Sequence, residues 1–252
     1  MTDVLDLIAA CNELLDPAAF DDLGPNGLQV PGRTEIGRVV TGVTAQRALF
    51  ERAVALEGDL VLVHHGLFWN FDPIGLTPLL AERLRPLFKH DLALAAYHLP
   101  LDAHPEVGNN ALICAALGLE RGEPFGEHRG RSIGFVGRSP DGVPFDELRA
   151  RCTAAFGQEP FAWDAGPELV RSVGIVSGAA ASSFGEAIAL GLDAFLTGEP
   201  AEHTMADARE SGTHFIAAGH YATETFGVRR LGELVAERFG VEQRFISAPN
   251  PI

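Results

Sequence analysis

The chain of 252 residues is 46% hydrophobic and 21% charged, which excludes fibrous and disordered classes and supplies enough apolar surface for one large domain or two ordinary ones. Lys and Arg number 19 against 34 Asp and Glu, a formal net charge of −15 that repels phosphate backbones and anionic lipid and so disfavours nucleic-acid or membrane-surface binding by general electrostatics. Cys11, Cys114 and Cys152 are widely spaced and form no CxxC pair, so they read as small buried hydrophobes rather than a disulfide framework or a thiolate metal site.

The first ten residues, MTDVLDLIAA, carry no basic leader and no small-residue cleavage pattern, and no signal peptide is read. Val4, Leu5, Ile8, Cys11, Leu14 and Leu15 recur at helical spacing, with Thr2 or Asp3 available as the cap. Asp21 to Gly27 is turn-rich and reads as a loop. Then short apolar runs alternate with amphipathic stretches: strand 39–43, helix 46–56, strand 60–63, helix 78–88, strand 92–96 and helix 107–117. The apolar windows Leu60–Val63 and Leu92–Tyr97 fall far short of the roughly 20 residues that span a bilayer, so a soluble cytoplasmic protein is expected.

After a loop around 122–130 come a strand at 133–136 and a helix at 145–156, and then the earlier order again: strand 173–176, helix 182–190, strand 194–196, helix 201–211, strand 214–218 and helix 223–239. Gly118, Gly212 and Gly240 stand where helix C-caps belong, and Pro78 and Pro200 near helix starts. The halves align: Ala53–Asp59 with Ala187–Asp193, which sets His64-His65 opposite Gly198-Glu199, and Ala95–His98 with Ala217–His220, which sets His98/Asp102 opposite His220/Glu224. The pattern predicts an α/β fold of two similar, interlinked lobes with mostly parallel sheets. The first lobe is read as residues 1–126 and the second as 127–252, with the His220/Glu224 segment and the last helix reaching back to the first.

Open α/β sheets gather polar groups at the carboxyl ends of their strands. Four clusters fall there: His64-His65, His98 to Asp102, Gly198-Glu199, and His220 to Glu224. A histidine pair closing a run as apolar as Leu60–Val63 needs partners, because an unpaired buried polar group costs on the order of 1–3 kcal/mol. Adjacent strand residues point to opposite faces, so the pair suits two neighbouring ions, unless Gly66 lets the backbone turn and both rings share one. His220 and Glu224, four apart at a helix start, can converge, and Asp102 adds a second carboxylate. Imidazole and carboxylate without thiolate suit zinc, iron, manganese or cobalt. His98 is either a ligand or a donor orienting one, and Glu199 is a wall residue or proton carrier. His90, His104, His128, His203 and His214 read as structural. Phe68, Trp69 and Phe71 serve packing more readily than an aromatic lip, and Asn109 or Asn110 either caps a helix or hydrogen-bonds a ligand.

Leu62–Trp69, His98–Asn110, Thr197-Gly198-Glu199 and Ala217–Glu224, with the N-terminal Asp22–Val30 loop, resemble the NIF-three-like family of dinuclear-metal proteins over essentially the whole chain. Bacterial members carry the label GTP cyclohydrolase I type 2 homolog. The resemblance implies a two-lobed subunit, a toroidal homohexamer, and two divalent metal ions held by His64, His65, Asp102, His220 and Glu224. Gly66 stands where many relatives have proline. No Walker-type GxxxxGK[ST] occurs. The leading reading is a metal-dependent hydrolase of an unidentified small molecule, with Glu199 and His98 as proton carriers. The rival is a non-enzymatic metal-binding ring scaffold, metallochaperone or regulator, which would saturate its metal with protein ligands.

Overall fold

The computed structural model describes residues 1–73 and 75–252. In chain order the elements are β1 (Thr2–Asp3), α1 (Val4–Leu15), β2 (Gly27–Val30), β3 (Glu35–Ile36), β4 (Arg38–Thr44), α2 (Arg47–Ala55), β5 (Leu60–His65), α3 (Pro78–His90), β6 (Ala93–Ala96), α4 (Leu99–Ala103) and α5 (Asn109–Ala116). There follow β7 (Glu120–His128), β8 (Arg131–Pro144), α6 (Phe145–Phe156), β9 (Phe161–Trp163), β10 (Leu169–Ile175), α7 (Phe184–Ala189), β11 (Ala194–Thr197), α8 (Thr204–Ser211), β12 (His214–Ala217), α9 (His220–Thr223), α10 (Thr225–Phe239) and β13 (Glu242–Phe245). Two compact units result, Met1–Leu101 with Gly227–Ala248, and Asp102–Phe226 with Pro249–Ile252.

The first unit is built on a sheet of order β13-β4-β5-β6-β2, parallel except for β2, which runs antiparallel beside β6. Leu60 to Val63 are wholly buried, as the continuous apolar run requires of a parallel strand covered on both faces. Leu49, Phe50, Val61, Val63, Leu84 and Leu94 form one core beneath α2 and α3. Local chemistry sets the helix ends. The Asp3 carboxylate accepts from Leu5 N at 2.7 Å to cap α1, and the Thr77 hydroxyl accepts from Leu80 N at 3.2 Å ahead of Pro78 to cap α3.

The second unit has the order β7-β8-β10-β11-β12-β9. The β10-β11-β12 triplet is parallel, like β4-β5-β6. Side-chain alternation splits its core. Ala194, Leu196 and Ile216 join the cluster under α5 and α6, whereas Phe195, Phe215 and Ala217 join Phe184 and Phe125 on the other face.

The α/β class is as the alternation predicts, and the first sheet is mostly parallel, but the second is mixed because β7–β8, β8–β10 and β12–β9 pair antiparallel. The expected loop at 122–130 is largely β7, hydrogen-bonded to β8, and both strands lie within the Asp102–Phe226 unit. Asp102 thereby belongs to the second unit. So do His220 and Glu224, while residues 227–248 fold with the first. No helix among the described residues is long and apolar enough to cross a membrane.

Candidate metal centre

In the first unit the apolar strand β5 ends in His64, which is buried, and His65, which is half-buried. His64 Nδ1 lies 3.0 Å from the Tyr97 carbonyl. A carbonyl only accepts, so Nδ1 carries the proton and Nε2 keeps its lone pair. The parallel β4–β5 register sets Thr44 beside His65, and the Thr44 hydroxyl meets His65 Nδ1 at 3.2 Å. His98, just past β6, has Nδ1 2.7 Å from Asp22 Oδ1, so it too is engaged through Nδ1.

Ring centroids of His64 and His65 are 4.7 Å apart, those of His64 and His98 5.0 Å, and those of His65 and His98 5.6 Å. One donor atom from each of these three histidines lies within 4.8 Å of the others, a spacing suited to a cation. Gln29 Oε1 accepts from Leu67 N at 2.8 Å and packs its amide against Gly66, so the N-terminal loop braces the turn after the histidine pair. Trp69 stands edge-on to His98 at 5.1 Å and stacks on the exposed Phe71 at 5.7 Å, so these rings flank the histidines rather than fill the core.

The second unit holds the remaining candidates: Glu199 and His220 just past its strands β11 and β12, Glu224 after α9, and Asp102 in α4. His220 opens α9 with Nε2 3.2 Å from Glu224 Oε2, while its Nδ1 is bonded to Glu199, which follows β11. Burial opposes protonation of His220, but the hydrogen bonds and charges of Glu224 and Glu199 outweigh it and raise the imidazole to about 9. Asp102, 4% exposed, accepts on Oδ1 from Ser177 Oγ at 2.9 Å and from Asn109 Nδ2 at 2.8 Å. Asn110 ties this corner down, accepting from Ser177 N at 2.8 Å and donating to the Ile133 carbonyl at 2.7 Å.

Gly178, next to Ser177, packs so tightly on Glu224 that a Cβ there would fall inside 3.0 Å of Oε1 and 3.3 Å from His220 Nε2. Its φ of +68° also favours glycine. The Ser177-Gly178 turn therefore touches both Asp102 and the His220–Glu224 pair.

This donor chemistry fits divalent cations. Each of the candidate histidines His64, His65, His98 and His220 is engaged through Nδ1, three of them by groups that fix or favour a proton there, which is how metal-ligating imidazoles are oriented to coordinate through Nε2. The carboxylates of Asp102 and Glu224, nearly buried, supply oxygen donors, and the three cysteines are buried and free. Three other histidines make structural contacts. His214, fully buried, accepts on Nδ1 from Ala165 N and Gly166 N, lies 2.8 Å from the Pro167 carbonyl through Nε2, and stacks on Phe145 at 3.7 Å. His104 Nδ1 accepts from Glu106 N and Val107 N, and His203 pairs with Asp207.

Asp22, Asn26, Gln29, Thr44, Ser177 and Gly178 are the supporting residues that the sequence pattern did not single out for a role. Only the resemblance of the Asp22–Val30 loop carried a hint of any of them, and the place of Thr44 beside His65 is set by the strand register.

An α/β protein with candidate metal-binding histidines and carboxylates at its strand ends is the class that fold and site define together. Residues 2–251 match the Duf34/NIF3 (NGG1p interacting factor 3) family, and the chain belongs to it. It is 43% identical over 245 residues to a Pseudomonas aeruginosa protein named GTP cyclohydrolase 1 type 2 homolog, covering 97% of each chain. With the Escherichia coli K12 protein of the same name it shares 44% identity over 248 residues, 95% of this chain and 96% of that one. Among solved structures, the protein ybgI, described as of unknown function, superposes with a TM-score of 0.94 at 41% identity over all of both chains. TTHA1606 from Thermus thermophilus gives 0.88 at 35%, again over the whole of both.

Proposed function

We propose that the two ligand sets, His64 and His65 from one unit and Asp102, His220 and Glu224 from the other, hold a pair of divalent ions, and that the protein is a metal-dependent hydrolase of a small molecule. The supporting observation is the shared orientation of the histidines: His64, His65 and His98 are engaged at Nδ1, and His220, held at Nδ1 by Glu199, turns Nε2 toward Glu224. When bound, divalent cations supply Lewis-acid polarisation and acidify water toward neutral pH. The chain's own groups do the rest. Asp102, fixed by Ser177 and Asn109, and Glu224, walled in by Gly178, provide charge at set positions. His98 stands beside the histidine pair with a carboxylate behind it, as a proton acceptor requires, and Glu199 both orients His220 and sits within reach of its proton.

A second reading, a ring scaffold, metallochaperone or regulator without turnover, is favoured by one feature. The hollow beside His64 and His98, bounded also by Gly24, Gln29 and Trp69, holds only about 10 Å³, room for a water. A larger hollow of about 390 Å³ between α1 and α10 is apolar, edged by Leu14, Leu231 and Leu234, and remote in character from this chemistry.

The deciding experiment screens protein reconstituted with zinc, manganese, cobalt or iron against nucleotides, cyclic amides and phosphoesters, with His65→Ala and Glu224→Gln as blanks. The hydrolase reading expects turnover that both variants abolish. Activity surviving in them at the wild-type rate, or metal bound with no turnover of any class, overturns it. A toroidal homohexamer belongs to the same proposal, and a solution mass near the 26.9 kDa subunit would contradict it.

A further inference from the structure

Asp22 lies in the turn-rich N-terminal segment, yet its side chain is 4% exposed and is the hub of a bonded knot. Oδ1 pairs with His98 Nδ1 at 2.7 Å, and Oδ2 accepts from Leu99 N at 3.0 Å and from Asn26 Nδ2 at 2.8 Å. Asn26 in turn accepts from His98 N at 2.8 Å, so the backbone and ring of His98 are gripped by the same loop. Burial alone would raise the Asp22 carboxyl, but the hydrogen bonds from His98, Asn26 and Leu23 N bring it below its ordinary value. An ionised carboxylate accepts and never donates, so the His98 nitrogen facing it must carry the proton. Trp69, edge-on at 5.1 Å, closes another side of the ring.

We infer that Asp22 is a positioning residue of the functional site, holding His98 as its Nδ1–H tautomer so that Nε2 is the nitrogen presented as acceptor beside His64 and His65. What Nε2 acts upon rests on the function proposed above, but the tautomer does not. The competing role for Asp22 is purely structural, as a cap on the start of α4 through Leu99 N. Asparagine caps nearly as well as aspartate, so Asp22→Asn separates the two. It keeps an oxygen for Leu99 N and Asn26 Nδ2 and turns its amide N–H groups toward Leu23 N and His98 Nδ1, so the Leu23 bond is lost and His98 Nδ1 has to accept.

The test is magic-angle-spinning NMR of the full-length chain labelled with nitrogen-15 histidine at pH 8, metal-free and zinc-loaded, with the His98 signals assigned by their loss in His98→Gln. Wild type is expected to show a protonated Nδ1 and an unprotonated Nε2 at His98. A zinc-shifted Nε2 with Nδ1 still protonated also supports the inference and identifies the ion as its target. Asp22→Asn is expected to exchange the two signals, with a fall of a few degrees in melting temperature for the lost Leu23 N bond.

Wild-type His98 protonated at Nε2, or at both nitrogens, overturns the inference without any variant. Asp22→Asn with the proton still on Nδ1 overturns it too, leaving only the capping role. Zinc content measured on the same samples keeps the two claims apart, since wild type that binds no zinc defeats the metal-dependent function and leaves the tautomer result standing.

Discussion

Replacing Gly178 with alanine tests how the second unit holds its histidine and glutamate. Two costs follow from the geometry. A non-glycine residue at φ +68° pays roughly 1–2 kcal/mol for the left-handed conformation. The new Cβ would also fall inside 3.0 Å of Glu224 Oε1, where ordinary contact begins at 3.4 Å, so the carboxylate must retreat by more than about 0.4 Å. Metal–ligand bonds tolerate about 0.2 Å, and Glu224 is 3% exposed with little room to rotate back, so divalent-ion affinity should fall about 10–100-fold.

Gly191→Ala is the matched control, because Gly191 has φ +66° and nothing within 4 Å of an added Cβ. It should lose the same 1–2 kcal/mol, about 2–8 °C in melting temperature, with zinc affinity unchanged. Calorimetric zinc titration and thermal melts in chelator read both quantities. If Gly178→Ala binds zinc as tightly as Gly191→Ala, the turn does not set the ligand pair and the reasoning is wrong.

Ser177→Ala removes one of the donors fixing Asp102 and is expected to weaken zinc binding about tenfold with little loss of stability, and unchanged affinity would show that Asp102 needs no such support. His214→Leu leaves Ala165 N and Gly166 N without their acceptor and should cost about 2–4 kcal/mol by urea denaturation while zinc content stays at the wild-type level. Metal-free protein holds His220 protonated up to pH about 9, above an ordinary histidine, so the pairing with Glu224 and Glu199 stabilises the fold fully below about pH 6.5 and is lost as pH rises through 9. Zinc uptake at pH 8 should accordingly release a proton from His220, seen as a buffer-dependent binding enthalpy, and a buffer-independent enthalpy would contradict it. Burial raises the thiols of Cys11 and Cys152 to about 12 and Cys114 to about 11, so stability should fall above pH 9 by roughly 1.4 kcal/mol per thiol per pH unit as the unfolded chain ionises first, and native protein should resist thiol reagents.

What the sequence disclosed and what it hid have physical reasons. Buried parallel strands such as Leu60–Val63 and amphipathic helices such as Phe145–Phe156 announce themselves because burial on both faces, or on one, leaves a periodic trace. β7, with the sequence ERGEPFGEH, and β13, EQRF, are partly exposed edge strands whose composition is indistinguishable from a loop, and β8 runs through Gly137, Pro140 and Gly142, which mask most of its length. The mixed character of the second sheet was hidden with them. At the site, the His-His pair and the i, i+4 His220/Glu224 pair were legible because spacing and chemistry coincide within a few residues. Asp22 was not, since its partner His98 is distant in sequence and the turn signal of Asp21–Gly27 gave it a sufficient local explanation. Ser177 and Gly178 left no trace either, because a close approach to Glu224 is a property of the fold and not of the neighbouring residues.

Zinc-edge anomalous diffraction from crystals of the full-length protein grown with zinc bears most directly on the proposed pair of metal ions. Two peaks are predicted per chain, about 2.0–2.2 Å from Nε2 of His64, His65 and His220 and from carboxylate oxygens of Asp102 and Glu224. Difference density that places zinc only on surface carboxylates such as Glu82 or Asp146, with these five side chains metal-free, would contradict the account.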